Sequence, residues 1–169
     1  VREISEAMVS MLSLPEIADR ILLAVTDTMG ASRAMVLLQD SEQQTYICAA
    51  LRGDWGSAAV KSKISADHPF WSRLLAERRE LARIDFDEET DLPLKASSQA
   101  LFDSLDVALI VPMVFREDLL GAIAVGRKVS REPFVLADRG LLRTLANQSS
   151  IGIENAMAFD EIAKLNESL

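Results

Sequence analysis

Apolar residues at the start of the chain recur with helical spacing. Ile4, Ala7, Met8, Met11 and Leu12 fall at i, i+3, i+4, i+7 and i+8, which predicts a short amphipathic helix over residues 2–12. Ser13-Leu14-Pro15-Glu16 then reads as a second helix start. Ser13 can cap, Glu16 stands three residues on as in a capping box, and proline is tolerated in the first turn. Ile17, Ile21, Leu22, Val25 and Met29 supply the apolar stripe of this helix, and Gly30 is placed to end it.

The pattern then changes to strands. Residues 32–39 (SRAMVLLQ) and 45–51 (TYICAAL) flank a polar turn and predict a hairpin. Residues 52–106 are less regular. Within them, 60–64 alternates weakly as a strand, and 69–79 reads as a helix with Phe70, Leu74 and Leu75 on its apolar side. Residues 81–84 read as a short strand, 85–91 as an acidic loop and 96–105 as a short helix. A second hairpin follows, 107–115 (VALIVPMVF) and 119–126 (LLGAIAVG), where Pro112 demands an edge position or a bulge. Hairpins followed by helices predict an α+β fold with an antiparallel sheet.

The last helix is expected over about residues 135–168, with a stripe through Leu141, Leu145, Ile151 or Gly152, Ala156, Phe159, Ile162, Leu165 and Leu169. At about 1.5 Å per residue such a helix spans about 50 Å. A domain of this length has a radius of gyration of only about 15 Å, so the far end must project. Steps of three and four from Leu141 give a half-polar seam, a weak coiled coil. One reading packs this helix on its own sheet with a frayed tail. The favoured reading pairs the two terminal helices with a second copy, Met8, Met11, Phe159 and Ile162 forming the dimer interface.

Composition narrows the chemistry. The chain has 169 residues and a formal net charge of −8, which argues against nucleic acid as the main partner. No apolar run approaches the roughly 18 residues of a membrane span, so no membrane insertion is expected in this segment. One cysteine, Cys48, excludes an internal disulfide framework and points to a reducing compartment. One histidine, His68, removes multi-histidine metal sites and most histidine-dependent catalysis. The chain opens on Val1 rather than methionine, as expected of a piece of a longer protein.

Three stretches carry a family resemblance: "LPEIADRILLAVTDTMGASRAMVLLQD", "VPMVFREDLLGAIAVGRK" and "FVLADRGLLRTLANQSSIGIENAMAFDEI". In the last, Asp138, Leu142, Ala146, Gln148, Ile153, Glu154, Asn155 and Ala156 stand in the pattern of a closing helix. The chain resembles a GAF domain over roughly residues 14–160. The resemblance implies a six-stranded antiparallel sheet with the N- and C-terminal helices on one face. A pocket on the other face would be closed by the irregular middle segment as a lid. It also implies a place inside a larger cytoplasmic signalling protein, with residues 1–13 as an N-terminal signalling helix and 161–169 as the start of a linker to an output domain. The tail "LNESL" resembles the linker into a histidine kinase.

Within that family several chemistries lose their residues. Cys48 sits inside a strand rather than where bilin-attaching relatives carry their cysteine, and reads as a small buried hydrophobe. A single cysteine also cannot serve the methionine-sulfoxide reductases of this fold. The Asn-Lys-Phe-Asp-Glu motif of cyclic-nucleotide-binding relatives is absent. His68 could be an axial haem ligand, but in Asp67-His68-Pro69 it reads as a capping residue. Residues 121–127 (GAIAVGR) lack the lysine and the flexible loop of a phosphate cradle. Asp85, Asp87, Glu88, Glu89 and Asp91 miss the EF-hand pattern and read as a solvated loop.

Arg52, Trp55, Phe70 and Trp71 remain, all in the lid segment. Aromatic walls with an arginine suit a small flat or anionic ligand; the same residues equally suit packing of the lid onto the sheet. The sequence therefore predicts a regulatory small-molecule-sensing domain rather than an enzyme, a homodimer through its terminal helices, and relay to an output domain in the same chain. The alternative is a ligand-free module for dimerisation and signal relay. The ligand, and any cofactor, stay open.

Overall fold

The computed structural model describes residues 12–168, so the expected helix over 2–12, with Met8 and Met11, lies almost wholly outside the described residues. The first described helix, α1, runs Leu14–Leu23 and passes into a π-turn over Ala24–Thr28. Ser13 Oγ accepts from the Glu16 backbone N–H (3.3 Å) and donates to Glu16 Oε1 (3.0 Å), which ties the first turn as the sequence predicts. Ser13→Ala is expected to cost about 1 kcal/mol, measured by urea denaturation. Gly30, at φ +79°, lets the chain reverse after the helix in a conformation side chains resist.

Five strands follow: β1 (Arg33–Asp40), β2 (Thr45–Gly53), β3 (Lys63–Ser65), β4 (Leu109–Phe115) and β5 (Asp118–Val125). They form one antiparallel sheet in the order β3-β2-β1-β5-β4. Both expected hairpins are present. Between β3 and β4 lie α2 (Pro69–Glu77), a 3₁₀ turn over Arg83–Phe86, and α3 (Leu92–Leu105). The last helix, α4, spans Leu136–Ser168.

The sixth strand expected at 81–84 is corrected to a single bridge. Leu81 exchanges both backbone hydrogen bonds with Ile110 (3.0 and 2.9 Å), and the chain then turns away. Asp85 is the cause: its Oδ2 accepts from Ala82 N–H at 2.7 Å and its own N–H donates to the Ala82 carbonyl, closing the 3₁₀ turn. Pro112 stands two residues beyond Ile110, on the outward side of β4, where no further strand is described and its missing N–H costs nothing. A register shift follows at Met113/Val114, so edge position and irregularity occur together.

Alternation along β1 divides the interior in two. Ala34, Val36 and Leu38 pack with Val111, Ile123 and Val125 under α1 and α4. Met35 and Leu37 pack with Ile110, Ala122 and Ala124 on the opposite face, under α2 and α3. Gly121 fits this tight sheet because a β-carbon there would fall on the Leu37 carbonyl. The buried stripe of α4 is Leu142, Ala146, Ile153 and Ala156; Leu141 of the expected stripe is 58% exposed, rotated off the sheet by one position. Among the described residues no helix is long and apolar enough to cross a membrane.

Candidate functional site

The layer under α2 and α3 is built from rings. Phe70, at the first turn of α2, is fully buried and lies 5.5 Å from Trp71, 5.8 Å from Phe86 and 5.5 Å from Phe102 between ring centroids. Trp71 also stacks on Tyr46 of β2 at 4.5 Å. Two ring-borne polar atoms of this layer are committed: Trp71 Nε1 donates to the Ser65 carbonyl (3.1 Å) and Tyr46 Oη to the Leu119 carbonyl (2.8 Å). Burial pushes the Tyr46 hydroxyl up from its ordinary value, with the Asp118 charge adding to it, so it stays protonated as that donor. A cleft of about 220 Å³ remains at the rim, bordered by Tyr46, Trp71, Leu75 and Asp118.

The four residues expected to hold a ligand do not converge. Phe70 and Trp71 fill the layer themselves. Trp55 stands at the sheet margin, its ring 4.4 Å from the Arg33 guanidinium and its Nε1 donating to the Ala34 and Arg52 carbonyls. Arg52 points to the other face, donating to Thr26 Oγ1 (3.1 Å) and approaching Asp27 at 3.6 Å. Strand alternation explains the split, because Leu51 faces the ring layer and Arg52 therefore faces away.

The other chemical candidates have local partners. His68 caps α2, its Nδ1 accepting from Phe70 N–H (3.2 Å), and burial lowers its pKa. Cys48 is half-buried in β2, and burial pushes its thiol up, away from the reactive thiolate. In the acidic loop, Asp91 caps α3 by accepting from Leu94 N–H, and Glu89 pairs with Arg73 at 2.6 Å. Residues 121–125 are interior β5.

The strongest electrostatic feature is one the sequence reading missed. Glu80 lies between α2 and the Leu81 bridge and is 2% exposed. Its Oε2 accepts from Arg143 Nε (3.0 Å) and its Oε1 from Arg143 Nη2 (2.8 Å), a bidentate pair. Arg139 Nε is 3.2 Å from Oε1, and Arg139 Nη2 donates to the Glu80 carbonyl at 3.4 Å. Burial alone would raise the Glu80 pKa. The hydrogen bonds from Arg143 and the charges of both arginines overcome it, so the carboxyl sits below the ordinary glutamate range. One carboxylate thus joins the segment after α2 to two arginines one turn apart on α4. The signal available in sequence was the Arg139/Arg143 pair at i, i+4, flanking the buried Leu142.

A sequence model of the GAF domain matches residues 11–154. Among solved structures, a GAF domain/HD domain protein from Geobacter sulfurreducens is 18% identical, with 89% of this chain and 99% of that chain covered and a TM-score of 0.68. The GAF domain of a two-component sensor histidine kinase from Bacillus halodurans is 19% identical, with 88% and 98% covered and a TM-score of 0.63. The GAF domain from an Acinetobacter phosphoenolpyruvate-protein phosphotransferase is 20% identical, with 95% and 94% covered and a TM-score of 0.64. No curated protein sequence matches the chain. A family match across most of the chain, on the fold described above, shows that this chain belongs to the GAF domain family.

Proposed function

We propose that this domain is a regulatory module of a multidomain signalling protein, performs no chemistry itself, and relays a change in the 69–106 segment through α4 to an output domain such as a histidine kinase. The observation that carries the reading is the course of α4. Among the described residues its last buried one is Ala156, yet the helix continues to Ser168, with Phe159 and Ile162 exposed at 40% and 58%. A helix that leaves the body with apolar residues in its seam suits pairing with the same helix of a second copy. Structural neighbours named as a sensor histidine kinase and a methyl-accepting chemotaxis protein support the signalling context. The Glu80 junction supplies a mechanical link from the middle segment to that helix.

Of the two modes of input, the ring layer favours relay without a ligand enclosed between sheet and middle segment. Phe70, Phe86 and Phe102 occupy that space, and the 220 Å³ rim cleft is smaller than the roughly 300 Å³ at which ligand pockets begin.

Phe159→Glu tests the helix pairing. Light scattering is expected to report a dimer for the parent domain and a monomer for the variant. A monomeric parent at high concentration, or a variant that stays dimeric, contradicts the pairing.

A further inference from the structure

A second concave site lies beside the Glu80 junction. The end of β5, the turn after it and the first turn of α4 bring Arg127, Lys128, Arg131 and Arg139 around a cleft of about 360 Å³, with Phe134 and Pro133 as its apolar wall. Glu132 is the one carboxylate on its lining. The cations are not equivalent. Lys128 is held by Asp138 at 2.6 Å and Arg139 by Glu80 at 3.2 Å. Arg127 and Arg131 are exposed, and among the described residues neither guanidinium has a hydrogen-bond or ion-pair partner. Arg127 also borders a neighbouring cleft with Asp54 and Asp106, but Asp106 is taken by Arg33 at 3.0 Å. Two uncommitted guanidinia thus face one concavity in a chain whose net charge is −8.

We propose that this cleft binds a phosphorylated small molecule. Guanidinium forks match phosphate oxygens bidentately, which a point charge does not. The cleft is far larger than a lone phosphate needs and falls in the range of small-molecule sites. Phe134 and Pro133 would face the non-phosphate part, with the Lys128 ammonium already 5.4 Å from the Phe134 ring centroid. Because Arg139 is shared with Glu80, an occupant would sit against the arginine that anchors the middle segment to α4. The binding itself does not depend on the relay, and its failure would leave the relay standing.

Arg131 allows a test that separates binding from folding. Its φ is +67°, in a turn closed by its N–H on the Lys128 carbonyl at 2.9 Å, a conformation glycine adopts freely. Calorimetric titration with ADP and with inorganic pyrophosphate at low ionic strength is expected to show one site, with ADP binding more tightly. Arg131→Gly should melt at the same temperature or higher and still lose about tenfold in ADP affinity, and Arg127→Ala should lose about as much. No binding of either probe at millimolar concentration overturns the proposal. So does unchanged affinity in Arg131→Gly, a variant whose fold the substitution does not strain. Pyrophosphate binding as tight as ADP overturns the part assigned to Phe134.

Discussion

Phe70→Ala is expected to lower the stability of the domain by about 3–5 kcal/mol and its melting temperature by on the order of 10 °C. Phe70 is fully buried and its ring touches those of Trp71, Phe86 and Phe102, which come from three different segments of the middle layer. Removing it leaves a cavity that these neighbours can close only by moving α2, since each is held by its own packing. Phe70→Leu keeps most of the volume and should cost about 1 kcal/mol. The two variants together separate loss of volume from loss of ring geometry. A Phe70→Ala variant that melts within 2–3 °C (roughly 1 kcal/mol) of the parent would mean that the ring layer is not the core of this half of the domain.

Glu80→Gln is expected to cost about 2 kcal/mol, less than a fully buried pair because Arg139 and Arg143 are 24% and 46% exposed and regain water. The shape is kept; what is lost is the charge that holds both guanidinia. The effect must also depend on pH. The folded-state pKa of Glu80 lies below its unfolded value, so its contribution is fully present above the ordinary glutamate pKa of about 4.3 and is lost as pH falls through the lower folded value. The stability gap between parent and Glu80→Gln should therefore be constant from neutral pH down to about 5 and shrink below about 4. Chemical denaturation at several pH values measures it. A gap that grows on acidification would reverse the assigned sign.

Much of the fold was legible in the sequence because its signals are local. Ser13 with Glu16, Gly30, and the two polar turns between apolar runs each specify a boundary within a few residues, and all stand where expected. The strand expected at 81–84 failed because a nearby carboxylate outweighed the apolar pattern: Asp85 captures the Ala82 N–H and curls the chain after one bridge. In α4 the apolar residues occupy two adjacent stripes. Period alone did not show that Leu142 and Ala146 face the sheet while Leu141 stays exposed.

The site was less legible, for a physical reason. Ring and arginine content marked the middle segment as important, but whether rings line a space or fill it depends on how four distant segments meet. Phe70 and Trp71 fill it, and Arg52 falls on the other face because strand alternation puts it there. Glu80 stands within a run of charged residues, where nothing local distinguishes a buried carboxylate from a solvated one. Its partners are about sixty residues away, and only the tertiary fold brings them within hydrogen-bond distance.

If Glu80 couples the middle segment to α4, both must loosen together when its charge is removed. Amide hydrogen exchange of the parent domain and Glu80→Gln, followed by mass spectrometry at neutral pH, measures this directly. Faster exchange in both residues 78–86 and residues 136–146 of the variant is the predicted result. Faster exchange confined to residues 78–86, with the first turns of α4 unchanged, would contradict it.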